Sequence, residues 1–168
     1  MKRIYHYTTA NNAAEIINSG RLSVSEWEMR NTNVRPALWL SLNPFWEKTA
    51  NKSIRSPYTG NIHRLSFGEQ SRLLGCVRFV IPFSEESFCP WSLYGVRSGT
   101  SKRLIKGMEA VGRQHGANPK DWYASFSDIP LSMVLEIQVW DGENWISWCG
   151  DVSDSTIKPQ IKTKDKVL

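Results

Sequence analysis

The first twenty residues indicate a β-strand that leads directly into a helix. Residues 3–7, Arg-Ile-Tyr-His-Tyr, alternate in the manner of a strand. The hydroxyl of Thr8 or Thr9 is suited to cap the following helix, because it can accept a hydrogen bond from a free backbone N–H. Gly20 is expected to end this helix, since glycine readily adopts the left-handed conformation of a C-terminal cap. The buried stripe of the helix is predicted to consist of Ala10, Ala13, Ile16 and Ile17.

The rest of the chain combines further strands with one clear second helix. This helix is predicted to begin after the capping residue Ser101 and to end at Gly116. Residues 51–75 are predicted to be a long loop with one strand, and residues 83–100 an irregular crossing segment. The strands after the first are predicted over residues 36–41, 62–67, 76–82, 124–126, 133–140 and 145–148.

This order of elements lacks the regular alternation of strand and helix that is typical of a doubly wound sheet. The sequence therefore predicts a single mixed α+β domain over residues 1–150, with a mostly antiparallel β core and two main helices. A polar, basic tail is predicted over residues 151–168.

The charge of the chain favours an anionic partner. Its 168 residues carry a net charge of +5 at pH 7, which attracts nucleic acids, nucleotides or acidic proteins at long range. A solvated basic surface explains the same charge without a partner, because most of the charge is spread along the chain.

The cysteines and the hydropathy pattern predict neither a metal site nor a membrane partner. Cys76, Cys89 and Cys149 are widely spaced and odd in number, which supports neither a disulfide framework nor a zinc site. The sequence contains no apolar run of membrane-spanning length, and its start lacks the apolar segment of a signal peptide. A cytoplasmic location is therefore expected.

Polar side chains next to aromatic rings are the features that point to a site. Glycine-rich dinucleotide motifs, phosphate-binding loops, zinc-protease motifs and nucleophile elbows do not occur. Glu136 lies in an apolar strand and therefore needs solvent, a partner or a cleft. Arg78 lies in another apolar strand, where it either binds a pyrophosphate through two parallel hydrogen bonds or points outward. The other elements are Tyr5-His6-Tyr7-Thr8-Thr9, Trp39-Leu40-Ser41-Leu42-Asn43, and Trp122-Tyr123-Ala124-Ser125 followed by Asp128.

The first two of these elements resemble the opening of the ADP-ribosyltransferase-like superfamily, which includes diphtheria-type toxins and poly-ADP-ribose polymerases. The resemblance lies in the Tyr-His-x-Thr strand, the helix closed by Ser-Gly-x-Leu, and the Leu-Trp-Leu-Ser strand, within about the first 50 residues. It implies a split β core and NAD as the co-substrate. His6 would bind the adenosine ribose of NAD with help from Tyr7 and Thr8, while Trp39 and Ser41 would contact the nicotinamide.

The resemblance also implies a carboxylate at the start of a late strand, which would stabilise the positive charge that develops on the nicotinamide ribose. Glu136 is the first candidate, although the sequence places it in the middle of its predicted strand. Asp128 lies just before the strand, but its side chain is one methylene shorter. The chain also resembles small bacterial and phage proteins with a Tyr-His-Tyr-Thr start and a Trp-Asp-Gly-x-x-Trp end, which here is residues 140–145.

The implied function is that of an NAD-dependent ADP-ribosyltransferase or NAD glycohydrolase. Its acceptor would be a protein or a nucleic acid, and the protein a toxin or an effector in phage–host conflict. Two alternatives stay open: an inactive member of the fold that binds a nucleotide or a partner, and a basic nucleic-acid-binding protein. His6 as a capping or core histidine, and Trp39 as a core residue, are the structural interpretations of the same positions.

Overall fold

The computed structural model of the protein describes residues 1–25 and 33–150. The predicted tail over residues 151–168 lies outside these residues. The helices are α1 (Ala10–Ser19), α2 (Phe67–Leu74), α3 (Trp91–Ser98) and α4 (Lys102–Gln114), with 3₁₀ turns at Lys48–Ala50, Pro119–Asp121 and Leu131–Met133. The strands are β1 (Arg3–Thr8), β2 (Arg21–Leu22), β3 (Leu38–Ser41), β4 (Ser53–Arg55), β5 (Ile62–Arg64), β6 (Val77–Pro82), β7 (Cys89–Pro90), β8 (Trp122–Ser125), β9 (Ile129–Pro130), β10 (Glu136–Trp140) and β11 (Trp145–Ser147).

A seven-stranded sheet of order β11-β10-β6-β1-β3-β8-β7 forms the centre of the molecule. Each pair of neighbouring strands in this sheet is antiparallel. Two small antiparallel sheets, β2-β9 and β4-β5, lie beside it. The prediction of a mixed α+β fold with a mostly antiparallel β core is therefore confirmed. Within the described residues, no helix combines the length and apolar character needed to cross a membrane.

The predicted strand and helix at the start of the chain are confirmed. The Thr9 hydroxyl accepts a hydrogen bond from the backbone N–H of Asn12, which caps α1. Gly20 follows the helix in the left-handed conformation, with φ of 72°. The helix buries Ala10 and Ala13 against one face of the sheet.

The strand predicted over residues 62–67 corresponds to β5. The prediction that the rest of residues 51–75 is a long loop was wrong, as was that of an irregular segment over 83–100. Residues 53–64 form the β4–β5 hairpin, and α2 follows it behind a capping box between Ser66 and Glu69. Helix α3 lies in the second segment, so that the described residues contain four α-helices rather than two.

Strands β1 and β3 contain the Tyr-His-x-Thr and Leu-Trp-Leu-Ser motifs, and they are paired with each other over a very short length. Strand β1 pairs with β6 along its whole length, from Arg3 to Thr8. With β3 it shares a single residue pair, Tyr5 with Ser41. Because the strands diverge beyond this pair, a gap opens between the two halves of the sheet.

The register also assigns side chains to the two faces of the sheet, since directly paired residues share a face. His6 pairs with Phe79, and Phe79 with Ile137, on the face that packs against α1. Tyr5 pairs with Val80, and Val80 with Glu136, on the opposite face.

Candidate functional site

A cleft of about 1150 Å³ opens where β1 and β3 separate. Its walls come from β1, β3, α1, α4 and the 3₁₀ turn at 48–50. The volume is at the upper end for small-molecule sites and suits an extended ligand of dinucleotide size. The predicted site residues that line this cleft are His6, Tyr7, Thr8, Trp39 and Ser41. The structure thus brings together these five residues, which the resemblance implies as NAD contacts.

The His6 ring spans the gap between the two strands. Its Nδ1 lies 2.9 Å from the backbone carbonyl oxygen of Trp39. Because a carbonyl only accepts hydrogen bonds, Nδ1 carries the proton, and Nε2 of the neutral ring is left with a lone pair. Burial lowers the pKa of His6, and the nearby charge of Lys52 lowers it further, against the effect of the bond to Trp39. The neutral ring therefore provides an acceptor, Nε2, that can bind a ligand hydroxyl.

The lowered pKa of His6 predicts a specific dependence of stability on pH. The unfolded chain binds a proton at this residue near pH 6.5, whereas the folded protein binds it only at a lower pH. Acidification below pH 6.5 therefore favours the unfolded state, until the folded pKa is passed. We expect the free energy of unfolding of the wild type to fall relative to that of His6→Gln between about pH 7.5 and about pH 5. Urea denaturation of both proteins at each pH measures this; a difference that stays constant with pH would contradict it.

A buried carboxylate faces the same cleft. Glu47 lies just before the 3₁₀ turn and is 7% exposed. Its Oε2 accepts a hydrogen bond of 2.9 Å from the Ser41 hydroxyl. Its Oε1 accepts from the backbone N–H and the hydroxyl of Thr49, at 3.1 and 3.0 Å. These three bonds fix the orientation of the carboxylate and leave room for a further donor, since a carboxylate can accept about four.

Glu47 also lacks a compensating cation among the described residues, where no lysine, arginine or histidine forms an ion pair with it. Burying a carboxylate without a counter-ion is costly unless hydrogen bonds compensate, as the three bonds from Ser41 and Thr49 do here. The arrangement is suited to stabilise positive charge on a bound molecule.

Two cations line another part of the cleft. Lys52 and Arg64 lie at the base of the β4–β5 hairpin. Arg64 donates from Nη2 to the Lys48 carbonyl at 3.0 Å, which holds its guanidinium in place. Neither side chain forms an ion pair with a described carboxylate. They are therefore available to bind the phosphates of a nucleotide.

Aromatic rings form much of the remaining wall. Trp39 is half-buried and packs against Tyr94 and Trp91, with ring centroids 4.8 and 6.1 Å apart. Trp91 and Trp122 line the cleft as well and contact each other edge to face. Trp39 thus serves both as a core residue and as part of the cleft. The hydroxyl of Tyr7 donates to the Asn43 carbonyl, and burial raises the pKa of its phenol.

Glu136 lies outside the cleft. It is the first residue of β10, not a middle one as the sequence indicated, and it accepts a hydrogen bond from the Ser147 hydroxyl. That bond is the main cause of the lowered pKa of Glu136. Strand β6 lies between β10 and β1, so that Glu136 is about 10 Å from β1, two strand spacings away. Its side chain also lies on the opposite face of the sheet from His6.

Asp128 also lies outside the cleft, in an exposed position. It accepts a hydrogen bond of 2.8 Å from the backbone N–H of Val24, and its other oxygen lies 3.2 Å from Nε of Arg21. Only its partner Arg21 lines the cleft. The structure therefore does not bring Asp128 together with His6.

Arg78 is buried on the same face as Tyr5 and does not line the cleft. Its guanidinium donates to Gln138 Oε1 at 2.6 Å and to the carbonyl of Pro44. It also lies over the rings of Tyr5 and Trp145, 4.9 and 4.5 Å from their centroids. These contacts join β6, β10 and the loop after β3.

We expect Arg78→Lys to lower the free energy of unfolding by about 1–2 kcal/mol, because a single ammonium group cannot keep both hydrogen bonds and the ring contacts. Any affinity of the cleft for NAD, which the resemblance implies, should stay unchanged, because Arg78 does not line the cleft. Urea denaturation and calorimetric titration with NAD measure the two effects. Unchanged stability with weaker NAD binding would instead support the pyrophosphate role predicted from the sequence.

Glu47, Lys52 and Arg64 are three cleft residues that the sequence did not single out. Glu47 bonds to Ser41 across a turn, and no local motif joins these two positions. Lys52 lies in the segment that is predicted to be a long loop, and Arg64 lies in the one strand predicted within that segment. The one sequence signal for Lys52 and Arg64 is that no acidic residue lies between Glu47 and Glu69. This signal indicates a basic segment but not a place in the cleft.

Comparisons of the chain with protein-family models, with curated proteins and with solved structures found no match.

Proposed function

We propose that this chain is an NAD-dependent ADP-ribosyltransferase or NAD glycohydrolase that uses the cleft between β1 and β3. The observation that carries the proposal is the convergence of His6, Tyr7, Thr8, Trp39 and Ser41 on one cleft. These residues come from two separate strands and were expected together only because of the resemblance to the ADP-ribosyltransferase-like fold. The gap in the sheet is compatible with the split β core of that fold.

The cleft offers each kind of group that NAD requires. Lys52 and Arg64 provide cations for the pyrophosphate, and His6 Nε2 provides an acceptor for a ribose hydroxyl. Aromatic rings provide apolar surface for the bases. Glu47 provides the carboxylate that would stabilise positive charge on the ribose. The catalytic roles of Glu136 and Asp128, which do not line the cleft, stay predictions from the sequence.

The reaction would break the bond between ribose C1′ and the nicotinamide nitrogen, and the bonding electrons would leave with nicotinamide. Positive charge then develops on the ribose. A buried carboxylate that three hydrogen bonds hold in place stabilises this charge without having to reorient, which lowers the barrier. Water or an acceptor nucleophile forms the new bond to C1′ and releases a proton to the solvent.

Release of nicotinamide from NAD by the purified protein tests this proposal. Release by the wild type and its loss in His6→Ala would support it, with circular dichroism confirming that the variant is folded. Absence of release, together with absence of heat on calorimetric titration with NAD, would overturn it. Binding without release would instead favour the inactive, nucleotide-binding alternative.

A further inference from the structure

The β4–β5 hairpin concentrates positive charge beside the cleft. Between Glu47 and Glu69 the sequence contains four lysine or arginine residues and no aspartate or glutamate. These cations are Lys48, Lys52, Arg55 and Arg64. Since the whole chain carries a net charge of +5, this short segment accounts for a large share of the excess.

One face of the hairpin continues the charged wall of the cleft. Ser53 pairs with Arg64 and Arg55 pairs with Ile62, so these four side chains share a face. Arg64 lines the cleft, whereas Arg55 and Ile62 are exposed further out along the same face. The spacing between successive pairs on one face is about 7 Å. A ligand strand that leaves the cleft along this face therefore meets Arg64 and then Arg55.

An exposed aromatic ring lies at the tip of the hairpin. Tyr58 is 96% exposed, and Ile62, the first residue of β5, is 67% exposed. The turn itself is ordered: the Ser56 hydroxyl accepts hydrogen bonds from the backbone N–H groups of Tyr58 and Thr59, and Gly60 adopts a left-handed conformation with φ of 71°. The protein thus presents a tyrosine on a structured turn, with almost no burial of its ring.

We propose that the β4–β5 hairpin binds single-stranded nucleic acid and holds it as the acceptor at the mouth of the cleft. Arg55 and Arg64 contact successive phosphates, and a base stacks on Tyr58. Arg55 donates to the Gly60 carbonyl at 3.0 Å, but neither arginine forms an ion pair within the described residues. Proteins bind single strands by combining such cations with an exposed aromatic ring, because phosphates need charge and unpaired bases need stacking surfaces. The role as acceptor site rests on the proposed function, whereas the binding does not.

An acidic protein segment would satisfy the cations equally well, but it would leave the exposed Tyr58 and Ile62 without a planar partner. Duplex DNA would offer phosphates, but its bases are already stacked within the helix. The exposed ring therefore favours a single strand over both.

Fluorescence anisotropy with a labelled oligothymidine of about 12 nucleotides tests the binding, using the whole chain without NAD. We expect Tyr58→Ala to weaken binding about 5- to 100-fold, and Tyr58→Phe to leave it nearly unchanged, because the ring is kept. Arg55→Gln should reduce the slope of log affinity against log salt by about 0.7, the contribution of one phosphate on a single strand. Substitution of Tyr58 should not affect folding, since the side chain is exposed.

Equal affinity of Tyr58→Ala and wild type would overturn the inference, as would tighter binding to the matching duplex or to polyglutamate than to the single strand. A second measurement, the transfer of labelled ADP-ribose from NAD to the oligonucleotide, separates the two proposals. Oligonucleotide binding without nicotinamide release would overturn the enzymatic proposal and leave the hairpin's binding role supported. Nicotinamide release without oligonucleotide binding would do the reverse.

Discussion

Replacing Glu47 by glutamine is expected to lower the rate of nicotinamide release from NAD by about 10²–10³-fold. The amide removes the negative charge that would stabilise the ribose cation, while its shape is preserved. Its oxygen can still accept from the backbone and hydroxyl of Thr49, and its NH₂ group can donate to Ser41 Oγ. The loss should therefore appear in kcat, with affinity for NAD and the unfolding midpoint nearly unchanged.

The matched controls for Glu47→Gln are Glu136→Gln and Asp128→Asn, which make the same chemical change at carboxylates outside the cleft. Both should retain most of the wild-type rate. If Glu136→Gln abolished release while Glu47→Gln did not, the carboxylate role would belong to Glu136, as the resemblance implies. Comparison of kcat for the three variants thus distinguishes the candidates in one experiment.

The second large effect is expected at Gly112, in the wall of the cleft formed by α4. A Cβ atom at this position would lie 2.3 and 2.5 Å from two carbons of the Trp122 ring. The ring cannot easily retreat, because Trp91 packs against it edge to face at 5.0 Å. We expect Gly112→Ala to lower the free energy of unfolding by about 1–3 kcal/mol through overpacking, which outweighs the better helix propensity of alanine.

Gly107 provides the matched control on the same helix. Nothing lies within 4 Å of a Cβ atom built there. Gly107→Ala should therefore stabilise the protein by about 0.4–1 kcal/mol, because alanine restricts the unfolded chain. Urea denaturation of both variants measures the difference. Equal stability of the two would show that Trp122 moves aside at little cost.

The parts of the fold that depend on neighbouring residues could be predicted from the sequence. Helix α1 was predictable because its cap, its apolar stripe and its final glycine lie within twelve residues. Helix α3 has comparable signals, but the same residues also fit an irregular segment. Pro90 and Gly99 suggested an irregular segment, yet they flank this helix, and Trp91 and Tyr94 are buried three residues apart. Proline before a helix and glycine after it are typical boundaries.

The site could be predicted only in part, because its halves are joined by register rather than by local pattern. The cleft residues on β1 and β3 could be predicted because they belong to two short sequence motifs. The position of Glu136 depends on which residue of β6 it pairs with, since a shift of one residue would move its side chain to the other face. The bond between Ser41 and Glu47 depends on the path of the intervening turn, which no spacing rule specifies.

If the cleft binds a ligand as proposed, the histidine that spans the gap would couple that ligand to the width of the cleft. One nitrogen of the His6 ring is hydrogen-bonded to the carbonyl of Trp39, and the lone pair of the other could accept a hydrogen bond from a ligand in the cleft. The side-chain amide of glutamine or asparagine could replace one of these two nitrogens. The rigid imidazole ring places both nitrogens at fixed positions on different edges. A ligand that is hydrogen-bonded to Nε2 is therefore connected, through the rigid imidazole ring, to the neighbouring strand β3. The same side chain would hold β1 and β3 together at the cleft and would transmit the binding of a ligand to the distance between them.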